Sequence, residues 1–283
     1  MSRPGPDFII IGAMKSGTTT LSDQLGAQPG LFMTDPKEPN YFSDDAMYAQ
    51  GSEWYRGRFA GAGAQDLTGE ASTQYTKLPT HPETVARMAR DIPAPRLVYM
   101  IRNPLVRVVS HYMHGWSRKE INCGLPEALE THPELISYGC YGMQIAPFTE
   151  TFGAEAIYLT SLEQWKADPQ AELARVCAHI GYDPDPQWRE DLGARNVSAE
   201  RARPLPGQKL LIDNPVAQAL RRTLVPKGLR AWVRKSRTLT TRPELTEAQV
   251  AQLSTVFLQD RDRLAALFPG NPALDAAYPF APR

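Results

Sequence analysis

The fold is decided by residues 8–20, which read FIIIGAMKSGTTT. Four apolar residues stand between Pro6 and Gly12, and such an unbroken run is typical of a strand buried on both faces of a parallel sheet. Residues 18–26 (TTTLSDQLG) then have the composition of a helix and end at a glycine. The stretch therefore predicts a strand, a glycine-containing loop and a helix in direct succession.

Two later segments repeat this plan. Residues 96–101 (RLVYMI) predict a second buried strand, and a helix is expected over 105–118, with Pro104 near its first position, where proline is tolerated. A third strand is expected at 156–160, and further helices at about 82–91, 141–152, 170–181 and 246–268. Alternating strands and helices predict an α/β fold, a single-domain P-loop-like open parallel sheet flanked by helices, over residues 1–283.

Composition excludes several classes of protein. The chain has 283 residues, and its 31 Lys and Arg balance its 31 Asp and Glu. This balance argues against nucleic-acid binding over the whole surface. The three cysteines are scattered without a CxxC pair, which predicts reduced thiols and neither a disulfide framework nor a zinc site. Without an apolar run long enough for a membrane span or a signal peptide, we expect a soluble cytoplasmic protein. The oligomeric state is not encoded in any recognisable pattern.

The loop from Gly12 to Thr19 has the properties of a phosphate site. Backbone N–H groups at the start of the predicted helix are unpaired, and the helix dipole adds positive potential. The loop is not a Walker A motif, because Lys15 precedes Gly17 by two residues and Thr18 stands where that motif has its lysine. The dinucleotide fingerprint GxGxxG is also absent.

Two motifs carry a resemblance to a known family. Residues 6–21 (PDFIIIGAMKSGTTTL) resemble the 5′-phosphosulfate loop of the sulfotransferases that use 3′-phosphoadenosine 5′-phosphosulfate (PAPS). Arg102 and Ser110, eight residues apart after the second strand, resemble the 3′-phosphate motif of the same family. Residues 37–42 (KEPNYF) and 69–72 (GEAS) are similar to elements of the branch that contains the heparan sulfate sulfotransferases and bacterial relatives.

The resemblance implies PAPS as the sulfuryl donor and its product PAP as a ligand, with no metal required. It places Lys15 at the leaving phosphate, where an ammonium can neutralise developing charge. Arg102 and Ser110 are implied to hold the 3′-phosphate. The implied donors to the 5′-phosphate are Ser16, Gly17, Thr18 and Thr19.

A late basic segment is a further candidate for nucleotide binding. Residues 183–245 are rich in proline and arginine, and between positions 189 and 242 thirteen Lys and Arg face four acids. Relatives close a basic lid over the nucleotide, and Arg201 and Arg203 are our candidates for it. A solvated loop with surplus arginines is the alternative interpretation of the same composition.

On the acceptor side, the resemblance implies Glu38 as the general base. Asn40 stands where relatives often have histidine, so we expect it to contact the acceptor in a different way. Glu70 is the second candidate for base or substrate ligand, and Ala71 follows it where relatives often have lysine, which removes one positive charge. His111 is a weaker candidate for the base, by analogy with the cytosolic sulfotransferases.

The acceptor is expected to be a carbohydrate or another small molecule that presents a hydroxyl or an amine, and its identity is not readable from the sequence. Two other functions remain open at this point. One is a P-loop nucleotide or small-molecule kinase, against which the missing GK[ST] pairing argues. The other is a catalytically silent protein that binds PAP.

Overall fold

The computed structural model describes residues 5–92, 94–192, 201–202, 238–239 and 242–282. Its centre is an all-parallel sheet of five strands in the order β2-β3-β1-β4-β5. The first strand lies in the middle, as its fully apolar sequence requires. The strands are β1 (Phe8–Gly12), β2 (Leu31–Met33), β3 (Leu67–Ala71), β4 (Arg96–Ile101) and β5 (Ile157–Ser161).

Helices connect and cover these strands. The longer ones are α1 (Thr18–Gly26), α4 (Thr84–Asp91), α5 (Pro104–Arg118), α8 (Tyr141–Phe152), α10 (Pro169–Ile180) and α11 (Glu247–Leu267). The shorter ones are α2 (Asp45–Tyr48), α3 (Gly51–Gly57), α6 (Leu125–Thr131), α7 (Glu134–Ser137), α9 (Leu162–Ala167) and α12 (Pro272–Ala277). A separate antiparallel pair is formed by β6 (Arg201–Ala202) and β7 (Thr238–Leu239). None of the helices among the described residues has both the length and the apolar character needed to cross a membrane.

Alternate residues of β1 enter two different cores. Ile9 and Ile11 pack into a large apolar cluster with residues of α8 and α11, whereas Phe8 and Ile10 pack with residues of α1 and α10. All five residues of β1 are buried. The sheet therefore has helices on both faces, and its carboxyl edge is left to the loops that follow β1, β3, β4 and β5.

The predicted α/β fold is confirmed, and α1 and β4 have the predicted bounds. The strands β2 and β3 were not predicted. β2 has only three residues, and β3 contains Gly69 and Glu70, which are both uncommon in strands. Contacts with β1 explain Gly69, since a Cβ there would lie 2.2 Å from Phe8 Cζ.

Candidate active site

The loop between β1 and α1 lies at the carboxyl edge of the sheet. Helix α1 begins after Gly17, which has a φ of 99°, and no side chain caps the first backbone N–H groups of this helix. A Cβ at Gly17 would lie 2.9 Å from Leu162 Cδ1, so the position has no room for a side chain. The uncapped N–H groups and the helix dipole give this end of α1 the positive potential that an anion requires.

Two lysines, Lys37 and Lys15, lie near the start of α1. The ammonium of Lys37 lies 3.3 Å from Thr18 Oγ1 and 3.2 Å from Thr19 Oγ1. Burial lowers the pKa of Lys37, and the charge of Glu38 opposes that shift. Lys15 lies in the loop itself with a φ of 70°. From the sequence, no role was assigned to Lys37, so its contact with the helix start is a new feature of the site.

Arg102 joins the end of β4 to the same loop. Its Nη1 donates a hydrogen bond to the carbonyl oxygen of Lys15 at 3.2 Å, and its own carbonyl accepts the hydroxyl of Tyr141 at 2.8 Å. Burial lowers the pKa of Arg102, and the nearby charge of Arg242 also lowers it. Arg242 donates to the carbonyl of Val106 at 3.2 Å, so two arginines flank the beginning of α5.

Two serines of the predicted nucleotide site are buried. Ser16 is completely buried in the loop, beside the Tyr141 hydroxyl, and among the described residues its Oγ has no hydrogen bond of normal geometry. Ser110 lies in α5 with 2% of its surface exposed. Both hydroxyls therefore lie inside the protein, one in the loop that carries Lys15 and the other on the helix that follows Arg102.

Glu38 lies across the end of β3. Its backbone N–H donates to the carbonyl of Ala71 at 3.1 Å, and its φ of 62° turns the chain at this point. The carboxylate accepts a hydrogen bond from Thr73 Oγ1 at 3.2 Å and lies 3.6 Å from the Lys37 ammonium. About a third of the side chain (35%) is exposed, so the carboxylate can be reached from solvent.

Glu70 lies beneath that segment and is completely buried. Its Oε1 accepts hydrogen bonds from the hydroxyls of Tyr55 at 2.8 Å and Tyr75 at 2.7 Å, and its Oε2 accepts one from Ser72 at 2.8 Å. Burial raises the pKa of Glu70 to about 7, although the three hydroxyls oppose that shift. This burial does not fit the expectation that Glu70 contacts the acceptor, because protein side chains enclose its carboxyl group.

Asn40 connects these two glutamates. Its backbone N–H donates to Ser72 Oγ at 3.1 Å, and that same hydroxyl donates to Glu70. Its side-chain Oδ1 is buried and makes no hydrogen bond within the described part of the chain. The backbone of Asn40 thus fixes the loop that carries Glu38.

His111 lies on α5 next to Ser110 and is 7% exposed. Its ring stacks on Tyr138 with centroids 5.6 Å apart and planes 18° apart. Burial lowers the pKa of His111 to about 2, and the charges of Arg107 and Lys77 contribute. So low a pKa makes the imidazole a weak base, which disfavours His111 relative to Glu38 as the proton acceptor.

Lys77 was not among the residues selected from the sequence. It follows β3 by six residues, and its ammonium lies 5.8 Å from the centroid of the Tyr138 ring. The charges of Glu38 and Arg107 both act on it. The sequence feature that could have indicated Lys77 is its position in the polar stretch after Glu70. That position points to the site only when residues 67–71 are known to form β3.

An apolar cavity of about 330 Å³ opens beside the start of α1. Its walls include Thr20, Leu162, Trp165 and Trp188. The two indole rings lie 5.9 Å apart at 45°, and Trp165 Nε1 is buried without a hydrogen-bond partner among the described residues. Sequence reasoning missed this cavity, because hydrogen bonds from the Gln24 and Gln28 side chains bring the distant Trp188 segment to it.

The predicted lid lies mostly outside the described residues. Arg203 is not described, and Arg201 is described only as part of strand β6, without its side chain. The assignment of both residues to nucleotide binding stays a prediction. Arg242, at the end of the same basic segment, is described and lies beside Arg102.

Comparison with known proteins identifies the family. The sequence profile of the sulfotransferase domain matches residues 5–263. The chain belongs to this family. The resemblance seen in the loop after β1 is thereby confirmed at the level of the family.

Individual sulfotransferases agree with this assignment. Heparan sulfate glucosamine 3-O-sulfotransferase 5 of Mus musculus is 33% identical over 191 residues, which are 63% of this chain and 54% of that protein. Heparan sulfate glucosamine 3-O-sulfotransferase 3B1 of the same species is 27% identical over 192 residues, which are 64% and 47% of the two chains. The chain thus spans about half the length of these relatives. A sulfotransferase structure from Alicyclobacillus acidocaldarius has the same fold, with a TM-score of 0.65, 23% identity and coverage of 94% and 96% of the two chains.

Proposed function

We propose that this sulfotransferase moves a sulfuryl group from PAPS to a hydroxyl or amine of a carbohydrate or small-molecule acceptor. The observation that carries the proposal is the uncapped start of α1, with Lys37 at its threonines and Arg102 bonded to the adjoining loop. These cations and N–H groups converge on one place, where an anion of high charge would be stabilised.

The nucleotide is proposed to lie along the carboxyl edge of the sheet. Ser16, Gly17, Thr18 and Thr19 would donate to the 5′-phosphate. Arg102 and Ser110 would hold the 3′-phosphate, and Arg242 adds a second guanidinium on that side. The apolar cavity next to Gly17, with its two tryptophans, offers a flat ring such as adenine an apolar environment.

PAPS supplies an activated sulfuryl group whose bond to the phosphate breaks as the bond to the acceptor forms. Glu38 takes the proton from the acceptor hydroxyl or amine, since about a third of its side chain is exposed whereas Glu70 is completely buried. The ammonium of Lys15 neutralises the charge that develops on the departing phosphate. Thr73 and Lys37 hold the Glu38 carboxylate in place by the contacts described above.

The test of this proposal is the substitution Glu38→Gln, which keeps the shape of the side chain and removes its basicity. We expect transfer of label from PAPS to fall by roughly 10²–10⁴, the usual contribution of a general base, while the affinity for PAP stays within about twofold. Glu130→Gln, at an exposed position on α6, is the matched control. A fully active Glu38→Gln protein would end the assignment of Glu38 as the base.

A thermal-shift experiment separates this function from the two alternatives. PAP and PAPS should raise the unfolding temperature by binding to the folded protein, and ATP with magnesium should not. Stabilisation by ATP with magnesium but not by PAP would favour a kinase. Binding of PAP without transfer to any acceptor would favour a catalytically silent PAP-binding protein.

A further inference from the structure

The peptide group between Arg102 and Asn103 is held at both ends by side chains. Its carbonyl oxygen accepts the hydroxyl of Tyr141 at 2.8 Å, and its N–H donates to Glu163 Oε1 at 3.0 Å. The group lies between the end of β4 and the start of α5. Because a peptide group is planar, these two hydrogen bonds fix its orientation and with it the direction in which the chain leaves the sheet.

Tyr141, the donor to the carbonyl, is itself held from several sides. It is the first residue of α8 and is completely buried. The rings of Tyr99 and Tyr278 meet its ring edge-on, with centroids 6.1 Å and 6.5 Å away. The Asp260 carboxylate of α11 accepts the next two backbone N–H groups of α8, at 2.7 Å and 2.8 Å. The Tyr141 hydroxyl therefore offers the Arg102 carbonyl a donor at a fixed place.

Glu163, the acceptor for the N–H, lies in the first turn of α9. The start of this helix is fixed by a reciprocal cap between Ser161 and Gln164. The Ser161 hydroxyl accepts the backbone N–H of Gln164 at 3.3 Å, and the Gln164 side chain accepts the backbone N–H of Ser161 at 3.0 Å. The carboxylate of Glu163 thus projects toward β4 from a helix start that its own neighbours hold in place.

The side chain of Arg102 runs from the held peptide group to the loop after β1. Its Nη1 donates to the carbonyl of Lys15 at 3.2 Å. Tyr141 and Glu163 therefore determine where this side chain begins, and Lys15 determines where it ends. A guanidinium carries its N–H donors in one fixed plane, so its value to a phosphate depends on the direction of that plane.

We propose that Tyr141 and Glu163 are positioning residues, which lock the peptide group after Arg102 and thereby aim its guanidinium at the 3′-phosphate of the donor. The inference rests on the proposed function, since it takes Arg102 to meet that phosphate. Tyr141 is completely buried, so its effect on a ligand passes through Arg102. A guanidinium that is already oriented loses less conformational freedom when it binds, and this raises the affinity for the nucleotide.

The test is a double-mutant cycle in the dissociation constant of PAP, measured by calorimetry on the full chain. Tyr141→Phe removes only the hydroxyl and should weaken PAP binding by about tenfold, the effect of one lost hydrogen bond. Arg102→Met should weaken it by roughly a hundredfold. The double variant should match Arg102→Met within about twofold, because Tyr141 acts only through Arg102. Tyr182→Phe is the matched control, since that buried tyrosine donates to the carbonyl of Pro29 at 2.8 Å, ahead of β2.

A pair of variants at Glu163 tests the other end of the peptide group. Glu163→Ala removes the acceptor of the Asn103 N–H and should weaken PAP binding by about tenfold. Glu163→Gln keeps an oxygen that can accept this N–H, so its affinity for PAP should stay within about twofold of that of the wild type. The pair also provides the test if Tyr141→Phe does not fold. Equal losses in the two variants would overturn the role of Glu163.

Three results would overturn the inference as a whole. The first is an unchanged affinity for PAP in Tyr141→Phe. The second is a double variant that binds PAP about tenfold more weakly than Arg102→Met, because additive losses show that Tyr141 does not act through Arg102. The third is an unchanged affinity in Arg102→Met, which leaves PAP binding itself intact. Failure of the wild type to bind PAP, measured first, overturns the proposed function and the inference with it.

Discussion

The two sides of the candidate site are built in different ways. The nucleotide side consists of short stretches in which a strand, a loop and a helix follow one another: residues 8–26 supply the loop after β1, and residues 96–118 supply Arg102 and Ser110. The acceptor side consists of Glu38, which comes from an irregular segment, and Glu70 in β3, and Asn40 and Ser72 connect the two. Local sequence therefore determines where the nucleotide side lies, whereas tertiary contacts determine the acceptor side.

The nucleotide side and the acceptor side also differ in how their charged groups are arranged. On the nucleotide side, positive groups surround a helix start that no side chain caps. On the acceptor side, a carboxyl group with three hydroxyl donors lies at the centre, and the loop of Glu38 rests on it through Ser72 and Asn40. The first arrangement is built to receive an anion, and the second to hold a loop in one position.

The largest effect should come from Lys15→Ala, which tests the nucleotide side. We expect kcat to fall by roughly 10²–10³, as when one charge-stabilising donor is removed from an active site, with a smaller loss of PAP affinity. Single-turnover rates with labelled PAPS measure the first effect, and calorimetry measures the second. Lys119→Ala, at an exposed position after α5, is the control and should behave as the wild type. Equal losses in kcat and in PAP affinity would contradict the assigned role.

An intermediate effect is expected from Glu70→Gln on the acceptor side. The folded protein raises the pKa of Glu70 from 4.5 to about 7, so the folded state binds its proton more tightly than the unfolded state does. That contribution to stability is fully present below pH 4.5 and is lost as the pH rises through 7. The glutamine variant lacks this dependence. As the pH rises from 4.5 to 7, its free energy of unfolding should therefore increase by roughly 3 kcal/mol relative to that of the wild type.

Urea unfolding at several pH values checks this prediction. Glu130→Gln, which replaces an exposed glutamate, should give a curve parallel to that of the wild type. If the curve for Glu70→Gln is also parallel, the Glu70 carboxyl group does not titrate in this range. The description of the acceptor side as built around a buried carboxyl group would then be wrong.

The smallest effect should come from Arg242→Ala. Its guanidinium lies beside Arg102 and would add charge-assisted binding to the 3′-phosphate, so PAP affinity should fall by about tenfold, or about 1.4 kcal/mol. Arg118→Ala, an exposed arginine at the other end of α5, is the matched control. Calorimetric titrations with PAP measure both. An unchanged dissociation constant for Arg242→Ala would limit the proposed 3′-phosphate site to Arg102 and Ser110.

The sequence allowed the nucleotide side to be predicted because each of its elements carries its own signal. β1 is entirely apolar, and its helix begins at a glycine and ends at one, so α1 was predicted with its observed bounds. The parallel pairing of β1 with β4 agrees with the parallel sheet that the alternation of strands and helices predicts. These inferences needed no knowledge of distant contacts.

The acceptor side could not be predicted in the same way. Glu70 looks like an accessible carboxylate in the sequence, and only the fold shows that Tyr55 and Tyr75 enclose it. β3 was missed because Gly69 is a poor strand former, and its presence is explained by the Phe8 ring on the neighbouring strand. The contact of Lys77 with the Tyr138 ring could not be predicted, because the two residues are sixty-one positions apart in the chain.

The bare amino end of α1 has a practical consequence for handling this protein. Inorganic phosphate and sulfate carry the same oxygens that this end is suited to receive, so we expect buffers that contain them to compete with the proposed nucleotide in binding and rate measurements. Preparations kept in a zwitterionic buffer with chloride avoid this competition. If PAP binds as proposed, storage with PAP should stabilise the protein, because a ligand of the folded state shifts the equilibrium toward that state.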